Sequence, residues 1–171
     1  MNKIGGKASN LVELLAAGFP VPHGWVVSTD AYEDFLDRNG LRQRIEGSLK
    51  GLDHRDAVKV ARCAENIRGW ILSGEMDPSL VETISNETER FGASALWAVR
   101  SSAVAEDMEQ ASFAGQQDTY LNVTRDRIAE MVKRCWASYW NERAIEYRHD
   151  RGIEHLASGM AVVVQRMVNA D

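Results

Sequence analysis

The stretch richest in chemically useful residues runs from Val99-Arg100-Ser101-Ser102-Ala103 to Ser112-Phe113-Ala114-Gly115-Gln116-Gln117-Asp118-Thr119. It begins where an apolar run, Leu96-Trp97-Ala98-Val99, ends. An arginine at a strand end is held stiffly, and its planar, permanently charged fork suits a phosphate. Two serines follow Arg100. The small Ala114-Gly115 turn lets backbone amides approach an anion closely, and Thr119 adds a hydroxyl beside it. On residue type alone, the same segment also suits a solvated loop in which Arg100 pairs with Glu106 or Asp107.

Two further segments carry weaker signals. Gly5-Gly6-Lys7-Ala8-Ser9-Asn10-Leu11 places glycines and a lysine at a helix start, where amides, the positive helix end and a cation converge on an anion. The GxxxxGK[ST] spacing is absent, and in isolation the segment reads as a flexible turn with a surface lysine. In Val162-Val163-Val164-Gln165-Arg166-Met167-Val168, an apolar strand bearing Gln165 and Met167 could border an adenine ring, with Met167 packed on its face and strand-edge backbone groups reading its edge. In isolation it reads as a core strand with Met167 as filler. Arg143 and Arg148 lie five apart, do not share a helix face, and read as surface partners of Glu142 and Glu146, one of them able to reach a ligand. His23, His54, His149 and His155 form no ligand set and read as surface or loop residues. The five tryptophans read as core, because no basic stripe accompanies them.

The elements that must position these residues alternate helix and strand. Ala8, Leu11, Val12, Leu14 and Leu15 give residues 8–17 helical spacing, with Gly18 as a stop. Pro20 and Pro22 keep the chain extended into a short strand at Trp25-Val26-Val27. Ser28-Thr29-Asp30 caps a helix with Tyr32, Phe35 and Leu36 inside, ended by Asn39-Gly40. Residues 41–52, polar and with Gly47 and Gly51, predict a loop with partial helix. Val60, Ala61, Ala64, Ile67 and Ile71 predict a long helix over 56–72. Asp77-Pro78 opens another helix, closed by Gly92. Strands follow at 96–99 and 118–123, separated by an unpatterned stretch over 101–117. A loop of that length is often functional. A helix carrying Ile128, Met131, Val132, Cys135, Trp136 and Tyr139, a second helix at 141–150, and a central strand at 161–164 complete the chain. The mixture predicts an α+β or α/β class.

The composition bounds what this arrangement can be. With 171 residues the chain forms one domain large enough to bury a core without a disulfide or metal staple. A net charge of −5 argues against a general nucleic-acid binder, whose affinity comes from many phosphate-neutralising cations. No apolar run approaches the length of a membrane span, and the first residues carry no apolar signal core. Cys63 and Cys135, without ligand spacing, predict two buried thiols in a reducing, cytoplasmic compartment.

Taken in order, Gly5-Gly6-Lys7-Ala8-Ser9-Asn10-Leu11, Gly18-Phe19-Pro20-Val21-Pro22-His23-Gly24-Trp25, Val99-Arg100-Ser101-Ser102, Glu106-Asp107, Ala111 to Thr119, and Val164-Gln165-Arg166-Met167-Val168 resemble the N-terminal nucleotide-binding region of the phosphoenolpyruvate synthase / pyruvate phosphate dikinase family, which includes the rifampicin phosphotransferases. The resemblance covers most of the chain and is weakest over 40–92. It implies an ATP-grasp fold, of which these residues form mainly the N-terminal subdomain, as part of a longer enzyme. It implies that Lys7, Arg100 and the loop Gly115, Gln116 to Thr119 hold the phosphates of ATP, with Lys7 and Arg100 catalytic, and that Gln165, Met167 and Val168 line the adenine site. It further implies a swivelling domain whose histidine carries the phosphoryl group to pyruvate, and Mg2+ bound by acidic residues beyond Asp171.

Two departures from the family pattern stand out. Only Met1 to Ile4 precede the Gly-Gly-Lys segment, where the family has a strand, which implies a loosely anchored Lys7. Val104-Ala105-Glu106-Asp107-Met108-Glu109 replaces the usual Thr-Ala-Glu-Asp-Leu-Pro, which implies a looser loop. Three functions are therefore expected in turn: the ATP-binding part of a pyruvate-phosphorylating enzyme, inactive by itself; the same site serving a rifamycin hydroxyl; or a non-catalytic nucleotide-binding module.

Overall fold

The computed structural model describes residues 3–103 and 118–168. Gly115, Gln116 and the Val104 to Glu109 departure lie outside the described residues. The chain is α+β: among the described residues, seven helices surround a four-stranded antiparallel sheet in the order β1-β4-β2-β3.

Helix α1 (Gly5–Ala16) ends before Gly18, whose φ of 80° is the left-handed conformation a helix stop needs. Strand β1 (Gly24–Val27) leads into α2 (Thr29–Arg38), which buries Tyr32, Phe35 and Leu36. Residues 41–52, expected as a loop with partial helix, are helical over most of their length. They form α3 (Leu41–Leu49), because Leu41 and Ile45, one turn apart, are both buried against neighbouring helices. Helix α4 (Ala57–Ser73) is capped by the Asp56 carboxylate, which accepts from the Val58 and Lys59 amides. Its buried stripe is Val60, Cys63, Ala64, Ile67 and Ile71. Helix α5 (Pro78–Glu89) starts at Asp77, which accepts from the Ser79 amide.

Strands β2 (Trp97–Ala103) and β3 (Thr119–Val123) precede a 3-10 turn at Arg125–Arg127 and α6 (Ile128–Ser138), the most buried helix. Helix α7 (Glu142–Asp150) is capped by Asn141, and β4 (Met160–Arg166) then enters the middle of the sheet. Strand β4 pairs with β1 on one side, up to Gln165, and with β2 on the other, up to Arg166, so the sheet's edges are β1 and β3.

The sheet divides the molecule. One face presents Trp97, Val99, Val162 and Val164 to a core that includes Met131, Cys135 and Trp136 of α6. The other presents Arg100, Ser102, Val163 and Gln165, and α1 lies over part of it. The thiols of Cys63 and Cys135 are buried and unpaired with each other. Burial pushes the Cys135 thiol pKa far up, which keeps it protonated. Among the described residues no helix is long and apolar enough to cross a membrane.

Arg148 is not the surface residue its glutamate neighbours suggest. It is 1% exposed, lies 4.1 Å over the Tyr139 ring and 5.0 Å from that of Trp140, and donates to the Tyr139 carbonyl (3.0 Å) and to His155 Nδ1 (3.2 Å). Arg143 is exposed. The histidines are likewise less scattered than their spacing suggests. His54 stacks on His149 at 3.5 Å and faces His155 at 6.2 Å, while His23 stacks against Phe91.

Candidate functional site

The register of the sheet assembles one row of residues across all four strands. Val26 pairs with Val163, Val163 with Arg100, and Arg100 with Thr119. Cross-strand partners share a face, so Arg100 and Thr119 stand side by side although separated by a long stretch of chain. In the next in-phase row Gly24 pairs with Gln165 and Gln165 with Ala98, which puts Gln165 on the same face. Arg100 is partly buried at the sheet surface and Thr119 is exposed.

The start of helix α1, which carries Lys7, docks on this face. The left-handed φ of Gly5, 73°, and its missing side chain let the helix start sit directly on β2. A Cβ there would collide with the Ser102 carbonyl oxygen and lie 2.6 Å from Ser102 Oγ. One turn on, the Ala8 amide donates to Ser102 Oγ at 3.3 Å. Lys7 lies between these two contacts, and Ser102 is two residues from Arg100 on the same face. On the other side of the sheet, the Cys135 thiol touches the Asp118 carbonyl at 3.8 Å. Ahead of α1, Lys3 is tied to the start of α2. The Thr29 amide donates to the Lys3 carbonyl (3.0 Å), and Lys3 Nζ pairs with Asp30 at 2.6 Å.

The start of β3 is fixed by Ser101, Asp118 and Tyr120, of which Tyr120 lies outside the segment that the residue types mark. The Asp118 carbonyl accepts from the Ser101 amide (3.2 Å) and from Ser101 Oγ (3.0 Å), and its carboxylate accepts from the Tyr120 hydroxyl (2.5 Å). Burial and that carboxylate raise the Tyr120 pKa, so the phenol remains a donor.

One cleft adjoins the row and a second lies beyond the end of β4. The first, about 260 Å³, lies between α1 and the sheet and is lined by Ala8, Leu11, Leu15, Val26, Val163 and Gln165. It accounts for the exposure of Val12 and Leu15 on α1, which face this opening rather than a core. The second, about 620 Å³, lies at the end of β4 and includes Met167, Val168, Arg166 and Phe91. Pro22 and His23 border both. Gln165 Nε2 donates to the Pro22 carbonyl (3.3 Å), and the Met167 amide donates to the Leu96 carbonyl (2.9 Å). The sheet thus brings Arg100, Thr119 and Gln165 to one face, and the start of α1, the helix that carries Lys7, docks on Ser102 of that face. Met167 and Val168 lie in the adjoining cleft across the Pro22-His23 rim.

This chain belongs to the pyruvate phosphate dikinase, AMP/ATP-binding domain family, which it matches over residues 1–171. It is 44% identical to a probable phosphoenolpyruvate synthase of Staphylothermus marinus, over 98% of this chain and 21% of that protein. It is 40% identical to the phosphoenolpyruvate synthase of Escherichia coli, over 100% of this chain and 23% of that protein. It is also 40% identical to a rifampicin phosphotransferase of Bacillus cereus, over 96% of this chain and 19% of that protein. The chain spans about a fifth of the length of these relatives.

Proposed function

We propose that this chain is the ATP-binding subdomain, of ATP-grasp type, of a phosphotransferase that makes phosphoenolpyruvate from pyruvate through a phosphohistidine on a separate domain. The observation that carries the reading is the cross-sheet row with Arg100 beside Thr119, roofed by the helix that bears Lys7. Arg100 offers its fork to phosphate oxygens, and Lys7 adds a point charge at a helix start. Together they offset charge that builds on the transferring phosphoryl group. Thr119 donates a hydroxyl, Gly115 and Gln116 donate amides, and Gln165, Met167 and Val168 form the adenine end.

Among the described residues no three His, Cys, Asp or Glu side chains converge as a cation site. This chain grips phosphate with its own cations, hydroxyls and amides. Mg2+ would supply further neutralisation from ligands elsewhere in the protein.

A second acceptor, a rifamycin hydroxyl, has support in the 40% identity to a rifampicin phosphotransferase. The ATP site is common to both readings, and assays with pyruvate and with a rifamycin separate them. The test of the shared site is calorimetric titration of ATP into the longest form of the protein and into its Arg100→Ala variant. Loss of a charged hydrogen-bond donor at about 1.5–3 kcal/mol weakens ATP by about 10- to 100-fold. Equal affinity removes Arg100 from the site.

A further inference from the structure

We infer that Ser101 and Ser102 are the positioning residues of the nucleotide site, each tying one of the other two phosphate-facing segments to the strand that carries Arg100. The inference rests on the ATP reading above. Their positions straight after Arg100 invite the view that they are phosphate ligands. Their burial and hydrogen bonds point elsewhere. Both side chains are buried. Consecutive strand residues face opposite sides of a sheet, so the two hydroxyls point apart. Ser102 Oγ accepts from the Ala8 amide on the α1 face, and Gly5 packs against the same residue, so Ser102 sets where Lys7 stands. Ser101 Oγ donates to the Asp118 carbonyl, reinforcing the bond from its own amide to that oxygen, so Ser101 sets where Thr119 begins. Two adjacent hydroxyls thus fix a helix and a strand, distant in sequence, relative to one guanidinium.

The two serines are not equivalent. Ser102 reaches α1 with its hydroxyl, whereas Ser101 keeps its backbone bond to Asp118 when the hydroxyl is removed. Ser102→Ala is therefore expected to weaken ATP more than Ser101→Ala. About five-fold corresponds to one ordinary hydrogen bond.

Double-mutant cycles on ATP affinity test the assignment, using Lys7→Ala and Thr119→Val as partners. Ser102→Ala is expected to be non-additive with Lys7→Ala and additive with Thr119→Val, and Ser101→Ala the reverse. A purely structural role gives the same coupling to both partners. Amide exchange supplies a readout without ATP: Ser102→Ala accelerates exchange at Ala8, and Ser101→Ala accelerates it at Ser101 and Thr119. If an alanine variant loses its cooperative melt, the matching Ser→Cys variant carries the comparison, since it keeps a small polar group of similar shape. Additive cycles throughout, or exchange that rises equally in both segments, overturn the positioning role. If Lys7→Ala and Thr119→Val themselves leave ATP affinity unchanged, the ATP reading fails first, and that outcome is distinct from absent coupling.

Discussion

Replacing Gly5 with alanine puts a methyl group where the docking of α1 leaves no room. The added Cβ would lie 2.6 Å from both the carbonyl carbon and Oγ of Ser102, and inside contact distance of the carbonyl oxygen. The neighbour is strand backbone, held by the pairing of Ser102 with Ala161 of β4, so the helix must move. The φ of 73° adds a second cost, because a side chain disfavours that conformation by about 1–2 kcal/mol. Forcing extra volume into a packed contact adds about 1–3 kcal/mol. The sum, about 2–5 kcal/mol, lowers the melting temperature by about 10 °C at the roughly 2–4 °C per kcal/mol expected for a domain of this size. Gly69→Ala in the middle of α4 is the matched control. Nothing lies within 4 Å of its Cβ, and alanine there should stabilise by about 0.5–1 kcal/mol. Both variants restrict the unfolded chain alike, so differential scanning calorimetry of the pair reports the native-state cost of a side chain at Gly5, contact and φ together. Gly5→Ala melting with or above wild type would refute the close docking of α1 on Ser102.

The remaining predictions concern the buried Arg148 corner and one cap. Arg148→Ala loses two hydrogen bonds and the stack on Tyr139, and should cost about 2–4 kcal/mol in chemical denaturation; Arg148→Lys recovers little, because an ammonium cannot reproduce the planar stack. Burial and the Arg148 charge depress the His155 pKa from 6.5 to about 4. The unfolded chain therefore binds the proton first, and stability is full above about pH 6.5 and is lost as pH falls towards 4. His155→Gln should flatten that slope in urea titrations, and parallel slopes for the two proteins would contradict the assignment. Asn141→Ala removes the acceptor of the Ala144 amide at the start of α7 and should cost about 1 kcal/mol, read from the same unfolding curves.

Much of this architecture is legible from local pattern. The stripes of α4 and α6, the Asp77-Pro78 start and the β-branched run of β4 each announce themselves, because local preference and burial agree. Helix α3 does not, since only Leu41 and Ile45 mark its inner side, and its helicity comes from what they pack against. Arg148 escapes for a related reason: flanked by charged residues it reads as surface, and only the tertiary fold places Tyr139 and Trp140 around it. At the candidate site the residue types are visible and the register is not. That Arg100 meets Thr119, or that Ser102 receives α1, depends on pairings between segments far apart in the chain, which no local periodicity encodes.

The central claim is that Lys7, Arg100 and Thr119 surround one phosphate chain. A crystal structure of the longest form of the protein with a non-hydrolysable ATP analogue tests it most directly. The account predicts phosphate oxygens within about 3 Å of the Arg100 guanidinium, with Lys7 on the α1 side and the Thr119 hydroxyl beside it. A nucleotide bound with its phosphates away from the Val26–Val163–Arg100–Thr119 row would contradict it.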